Sequence, residues 1–336
     1  MKKASMVVNS YYNGNKLFDL TDTKANRDNC LYPYFLLQKK MRLLDIDLAT
    51  SDVHPPNESE IIIYNEIPST LPDESNIKKS FLIILESELV CPNNWDVKKH
   101  KYFNKIFTWH DDYVDNKKYF KINFSQEIQY LTDKNFHNKE KLCTMISGNK
   151  KSSHRLDLYG KREQAVRWFE KNHPKDFDLY GMGWENYIHP NKYIRWILRK
   201  SKLSKLFNRG YPSYKGKIDA KKEVLEKYRF AICYENARDI PGYITEKIFD
   251  CFFAGCVPIY WGASNITEHI PKSCFIDKRD FDNYEDLYKY ITGIGEQEFS
   301  RYLECIRDFL VSDKVHQFSS GYFSDKIIEV TTKNLD

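Results

Sequence analysis

The stretch FAICYENARDIPGYITEKIFDCFFAGCVPIYWG, residues 230–262, decides how this 336-residue chain reads. An apolar run at 230–234 gives way to a polar loop that carries Glu235, Asn236, Arg238, Asp239, Gly242 and Tyr243. An apolar helical segment at 245–253, a glycine turn and a second apolar run at 257–261 follow. Strand, loop, helix, turn and strand in this order make one βαβ unit. Polar groups at the carboxyl end of a parallel strand lie where doubly wound sheets bind ligands. Gly242 permits close backbone approach. Thr245 is placed to cap the helix, whose first N–H groups point outward and favour a phosphate. Lys247 adds a cation, and Glu246 adds two acceptors suited to ribose or sugar hydroxyls. These parts would hold a nucleotide diphosphate sugar. Read alone, they also describe a capped helix with a surface Glu–Lys pair.

Outward from this unit the pattern repeats. On the carboxyl side of residue 140, strands are expected at 142–146 and 177–180, with a helix at 161–171 between them. Helices are expected near 284–291 and 296–310. On the amino side, strands are expected at 5–8, 46–49, 61–64, 81–85 and 106–109, with a helix at 34–44. Short Ile-rich runs read as buried parallel strands. Alternation of strand and helix in both halves predicts an α/β protein of two doubly wound domains. The polar segment 134–139 places the junction, giving domains 1–138 and 139–336.

Residues 185–218 break the pattern. Seven basic residues and no acidic one fall between Lys192 and Arg209. Ile194, Ile197 and Leu198 share one helical face, and Leu203, Leu206 and Phe207 share another. This predicts a basic amphipathic insertion able to meet anionic lipid through residues 192–209. The alternative is an ordinary solvated helical excursion.

Composition narrows the classes. A net charge of +5 is too weak to point to nucleic acid. The 24 Tyr and 21 Phe suit sugar and base faces, although most such rings fill cores. Eight scattered cysteines form no CxxC pair and no His/Cys zinc spacing, as expected of free thiols in a reducing compartment. The first residues turn polar at Asn9, too early for a signal-peptide core, and no run approaches the roughly 20 apolar residues of a membrane span. A soluble, cytoplasmic protein is expected.

The 230–262 segment resembles the signature of the α-1,3/4-fucosyltransferases, glycosyltransferase family 10. The matching residues are Phe230, Glu235, Asn236, Tyr243, Thr245, Glu246, Lys247, Ile248, Pro258, Ile259, Tyr260, Trp261 and Gly262. The likeness is clear from about residue 80 to 280 and faint in the first 75. It implies the GT-B architecture, two Rossmann-like domains facing a cleft. The second would bind GDP-fucose, and the first would carry the acceptor site and the catalytic base. Carried onto this chain, Asn236, Tyr243, Glu246 and Lys247 line the donor pocket, with Glu235, Gly242 and Thr245 beside them. An arginine at the start of the donor domain's first helix would meet the diphosphate; Arg162 fits best and Arg155 competes. Its bidentate fork suits that task.

The resemblance also places a glutamate base after a first-domain strand. Spacing to Pro92 favours Glu88, as in bacterial members, and Glu88 is the expected base; the Glu-Ser pair favours Glu86, as in animal members, which competes. Two carboxylates this close allow one a raised pKa, as a base near neutral pH needs. Trp109 and His110 would line the acceptor cleft. The family likeness implies transfer of L-fucose, with inversion, to a glycan containing N-acetylglucosamine. The linkage would be α-1,3 or α-1,4. Asp45-Ile46-Asp47 resembles a manganese-binding DxD but falls at a helix end. No cofactor is expected to be required, although Mn or Mg would stimulate. A same-fold enzyme using GDP-mannose is the alternative reading, and a non-catalytic nucleotide or glycan binder a more distant one. The loop at 237–241 and the long insertion depart from the best-known members and leave acceptor identity and oligomeric state open.

Overall fold

The computed structural model describes residues 1–131, 139–186, 191–201 and 210–333. The chain divides into two compact units. Unit 1 comprises Met1–Ile128, Pro241–Glu246 and Ser312–Asp336; unit 2 comprises Gln129–Ile240 and Lys247–Val311.

Unit 1 is built on six parallel strands: β1 (Lys2–Val7), β2 (Ile46–Thr50), β3 (Ile61–Asn65), β4 (Ser80–Ile84), β5 (Lys105–Thr108) and β6 (Tyr119–Lys121). Their spatial order is β2-β1-β3-β4-β5-β6. Alternate side chains of a strand face opposite ways, so the Ile-rich runs supply two cores at once. Ile61, Ile63, Phe81 and Ile83 face helices α1 (Tyr32–Leu43) and α9 (Ser320–Thr332). Ile62, Leu82 and Ile84 face the other way, against Phe103 and Ile106. Each fully buried side chain of this kind contributes about 1.5–3 kcal/mol. Most other connections in unit 1 are short 3-10 turns.

Unit 2 also has six parallel strands: β7 (Lys141–Ile146), β8 (Phe177–Tyr180), β9 (Tyr214–Gly216), β10 (Tyr228–Tyr234), β11 (Val257–Trp261) and β12 (Ile276–Asp277). The order β12-β11-β10-β7-β8-β9 places the first and fourth strands of the unit side by side at the centre. The chain winds outward in both directions from that pair, so the switch point of the sheet lies between β7 and β10. Its helices are α2 (Tyr159–Asn172), α3 (Lys192–Lys200), α4 (Lys221–Leu225), α5 (Glu246–Phe253), α6 (Ile266–His269), α7 (Tyr284–Gly293) and α8 (Glu296–Leu310). The first residue of α5 is grouped with unit 1. α8 buries Phe299, Leu303, Ile306 and Leu310, one stripe at helical spacing.

The α/β class and most element positions match expectation. Strands β6, β9 and β12 and helices α4, α6 and α9 were not foreseen. The structure differs from a single division at 138/139: residues from Ser312 onward and the loop Pro241–Glu246 belong with unit 1. Packing is the reason. Tyr34 of α1 meets Phe323 of α9 edge-on, with centroids 5.6 Å apart, and Lys40 pairs with Asp325 at 2.6 Å. Most of the 134–139 junction, at 134–138, lies outside the described residues, as do Leu203, Leu206 and Phe207 of the expected amphipathic segment. Asp45 and Asp47 are occupied separately: Asp45 pairs with the amino terminus at 3.5 Å, and Asp47 faces His54 at 3.3 Å.

Candidate active site

At the switch point of unit 2, two loops are stitched together. Leu158 N donates to Asn236 O at 3.0 Å, and Arg238 N donates to Leu156 O at 2.9 Å. This pairing sets the first turn of α2 beside the loop after β10. Asp157 caps that turn, accepting from Tyr159 N at 2.9 Å and Gly160 N at 3.1 Å. One turn on, Arg162 points back toward β10. It is 4% exposed, and Nη2 donates to Tyr234 O at 2.6 Å and to Asn236 Oδ1 at 3.0 Å. Its guanidinium carbon lies 5.1 Å from the centre of the Tyr159 ring. Arg155, the competing arginine, is exposed.

Glu235 and Lys247 form the second element of the cluster, an ion pair at 3.2 Å. The Glu235 carboxylate is fully buried, so it holds Lys247 from beneath rather than presenting acceptors at the surface. A buried carboxylate needs such a partner, because desolvating an unpaired one is costly. Gly262 explains itself here: a Cβ on it would lie 2.5 Å from Glu235 Cγ and 2.3 Å from the Tyr260 hydroxyl. Tyr260 in turn accepts from Ala263 N at 3.0 Å. The arrangement continues to β12, where Arg279 binds Asp277 through two nitrogens, at 2.9 and 2.7 Å, and donates to Ala263 O at 3.2 Å. Burial would push the Asp277 carboxyl up, but Arg279 holds it below the usual range.

Unit 1 gathers a different set at the carboxyl ends of its strands. Gly242 has φ +78°, and a Cβ there would lie 2.2 Å from Trp109 O and 2.7 Å from Asp111 Oδ2. The expected close approach is thus to protein backbone. Lys121 closes the corner, its Nζ donating to Trp109 O at 2.7 Å and to Asp111. Burial pushes Lys121 down, while the Asp111 carboxylate opposes the change. Tyr243, Ile244 and Thr245 are buried, and the Tyr243 ring sits 4.7 Å from that of Trp109. Glu246 is half-buried.

Trp109 was expected to line a cleft. Its ring is fully buried, and Nε1 donates to Leu85 O at 2.7 Å, so it braces the chain just before Glu86. His110 is the more accessible member of the pair. Its ring lies 5.3 Å from Trp95 and 4.9 Å from Tyr113, and burial pushes its pKa down. Its Nδ1 is buried and has no hydrogen-bond partner among the described residues.

The two candidate bases differ in surroundings. Glu88 is exposed, in a turn whose Val90 and Cys91 N–H groups bond to Ser87 O. Glu86 is half-buried, two residues past the end of β4, and its backbone is held on both sides. Its N–H donates to Glu66 Oε1 at 3.0 Å, and its carbonyl accepts from Trp95 Nε1 at 3.0 Å. Glu66, Asn94, Lys121, Asp277 and Arg279 escaped the sequence reading. Of these, Glu66 directly after the Ile-rich strand β3 carried the one available signal.

Two all-parallel six-stranded sheets of this kind define a GT-B glycosyltransferase fold. A crystal structure of an α1,3-fucosyltransferase with GDP superposes with a TM-score of 0.55 at 15% identity, over 99% of this chain and 91% of that one. An α-glucosyltransferase in complex with UDP and a 13-mer DNA gives 0.58 at 10% identity, over 99% and 100%. Residues 136–326, more than half of the chain, match glycosyltransferase family 10 (fucosyltransferase), C-terminal part, and the chain belongs to that family.

Relatives share shorter stretches. An α-(1,3)-fucosyltransferase of Helicobacter pylori is 38% identical over 74 residues, 22% of this chain and 15% of its own. An α-(1,4)-fucosyltransferase of Arabidopsis thaliana is 35% identical over 72 residues, 21% of this chain and 18% of its own. The 4-galactosyl-N-acetylglucosaminide 3-α-L-fucosyltransferase 9 of Mus musculus is 33% identical over 88 residues, 25% of this chain and 24% of its own. The matched stretches thus span less than a quarter of these relatives' lengths.

Proposed function

We propose that this protein transfers L-fucose from GDP-fucose to a glycan containing N-acetylglucosamine, with inversion and formation of an α-1,3 or α-1,4 bond. The observation that carries the reading is the cationic cluster at the switch point of unit 2. There Arg162 reaches Asn236, and Lys247 is anchored on buried Glu235. Family membership and the α1,3-fucosyltransferase crystallised with GDP-fucose, similar in fold at a TM-score of 0.53, support the donor. The name of the mouse relative supports an N-acetylglucosaminide acceptor.

In this reaction the acceptor hydroxyl oxygen attacks the anomeric carbon of fucose while the bond from that carbon to the phosphate oxygen breaks. The hydroxyl proton passes to a carboxylate, and GDP leaves with the bonding electrons. Attack from the face opposite the leaving group inverts the centre. Arg162 and Lys247 supply positive charge for the diphosphate as negative charge builds on it. Divalent metal would add to that charge without being required. Glu86, whose backbone is held on both sides, is the favoured carboxylate for taking the proton, although spacing to Pro92 favours Glu88.

A membrane contact accompanies this reading. Tyr193 and Trp196 on α3 are 70% and 59% exposed, and Ile194 and Ile197 are exposed beside them. The 192–209 segment carries seven basic residues and no acidic one. Exposed aromatics and aliphatics on a basic helix suit the cytoplasmic face of an anionic bilayer. No helix among the described residues is long and apolar enough to cross a membrane.

Calorimetric titration with GDP-fucose, GDP-mannose and UDP-galactose, followed by NMR of the product's anomeric signal, tests the function. Tightest binding of GDP-fucose and an α-linked fucosyl product are expected. Preference for GDP-mannose would transfer the reading to a mannosyltransferase of the same fold.

A further inference from the structure

Glu66 follows β3 with φ +73°, a left-handed backbone that a non-glycine residue adopts only when its surroundings enforce it. The enforcement is visible. Glu66 Oε1 accepts from Leu85 N at 3.1 Å and from Glu86 N at 3.0 Å, and Oε2 accepts from the side-chain amide of Asn94. Asn94 Oδ1 returns to the chain beside Glu66, accepting from Ile67 N at 3.0 Å. One carboxylate therefore ties together the ends of β3 and β4 and the turn at Asn94. A glutamine could accept the same two amide hydrogen bonds without carrying a charge into the interior.

We propose that Glu66 is the positioning residue for Glu86: it aims the Glu86 turn through the two amide hydrogen bonds, and its buried charge makes the Glu86 carboxylate a stronger base. The inference rests on the reading of Glu86 as the group that takes the acceptor proton. Burial pushes Glu66 up to about 7, the charge of Glu86 adds to the rise, and the amide and Asn94 hydrogen bonds oppose it. Tyr34 of α1 and the Cys91 thiol are the other titratable groups that feel Glu66. Both are neutral at the pH where Glu66 ionises, since burial raises each of them. Above about pH 7 Glu66 is charged and Glu86 holds a proton more tightly, so turnover rises through that interval.

The test compares wild type, Glu66→Gln and Asn94→Ala, each first checked for a native thermal melt. Turnover and KM are measured with GDP-fucose and an N-acetyllactosamine acceptor over about pH 5–9. Glu86 is followed in parallel by carbon NMR of labelled glutamate. In Glu66→Gln, kcat is expected to fall about ten- to a hundredfold with donor KM unchanged, the acid limb to move to lower pH, and the inflection of the Glu86 carbon signal near pH 7 that reports Glu66 ionising to disappear. Asn94→Ala removes a bond that favours ionised Glu66, so its acid limb moves to higher pH. Opposite shifts are what a general loss of structure does not produce. Unchanged Glu86 titration and unchanged pH profile in Glu66→Gln would overturn the proposal. Loss of that inflection in Glu66→Gln, in a protein that transfers no fucose, would support the coupling of the two carboxylates and defeat the fucosyltransferase reading instead.

Discussion

The Arg162 guanidinium and the Asn236 side chain, 74 residues apart in sequence, meet at 3.0 Å between the first turns of α2 and the loop after β10. The same nitrogen also binds the carbonyl of Tyr234, so the arginine is oriented before any ligand arrives. Arg162→Lys keeps the charge and loses the fork. Affinity for GDP is expected to fall about tenfold or more, read by calorimetry, with a lowered thermal midpoint because the side chain is nearly buried.

Glu86→Gln is expected to lower turnover by about 10²–10⁴ while donor affinity stays near wild type. Glu88→Gln should remain close to wild type, since Glu88 is exposed in its turn. The reverse pattern, read by steady-state kinetics, would move the base to Glu88.

Gly262→Ala drives a methyl group to 2.5 Å from Glu235 Cγ. Both that carboxylate and the Tyr260 ring are fully buried. A loss of about 1–3 kcal/mol in stability is expected by denaturant titration, together with weaker donor binding as Lys247 loses its anchor.

Glu66 gives stability a pH dependence of definite sign. Its pKa stands at about 7 in the fold against an ordinary 4.5. Folded protein therefore holds a proton that the unfolded chain has already released. The stabilisation is complete below 4.5 and is lost as pH rises through about 7, amounting to about 3 kcal/mol. Denaturant melts of wild type and Glu66→Gln across that interval should show the variant's stability falling less steeply.

Replacing Tyr193, Trp196 and Ile197 by serine is expected to abolish co-flotation with phosphatidylglycerol vesicles and leave transfer to a soluble acceptor unchanged. Equal flotation of this variant and wild type would remove the membrane contact.

Much of the second sheet could be read directly from residues 230–262, because one βαβ unit there carries strand, helix and loop chemistry in continuous sequence. Arg162 followed from the family likeness once β7 was recognised. The limits were those of local pattern. Nothing near Glu235 distinguishes a buried carboxylate from a ligand-facing one, since its burial depends on Gly262 and Tyr260, about twenty-five residues on. Gly242 was expected to permit close approach at the donor pocket; the approaching group is the carbonyl of Trp109, which no spacing rule reveals. Glu66 has no repeat or partner in sequence; its role depends on Leu85, Glu86 and Asn94 arriving from other segments. The return of α9 to α1 is likewise a matter of packing across nearly the whole chain.

That return has a consequence for how the molecule is made. The chain passes between its two units four times, at Ile128, Ile240, Glu246 and Val311. The amino-terminal sheet emerges first from the ribosome, yet one wall of its core is supplied by Phe323, Ile327 and Val330. Until those residues are synthesised, the face of β1, β3 and β4 that they cover stays open to water and to other chains. The unit translated first is therefore the last to be completed, and a nascent chain arrested before residue 312 should depend most on chaperones.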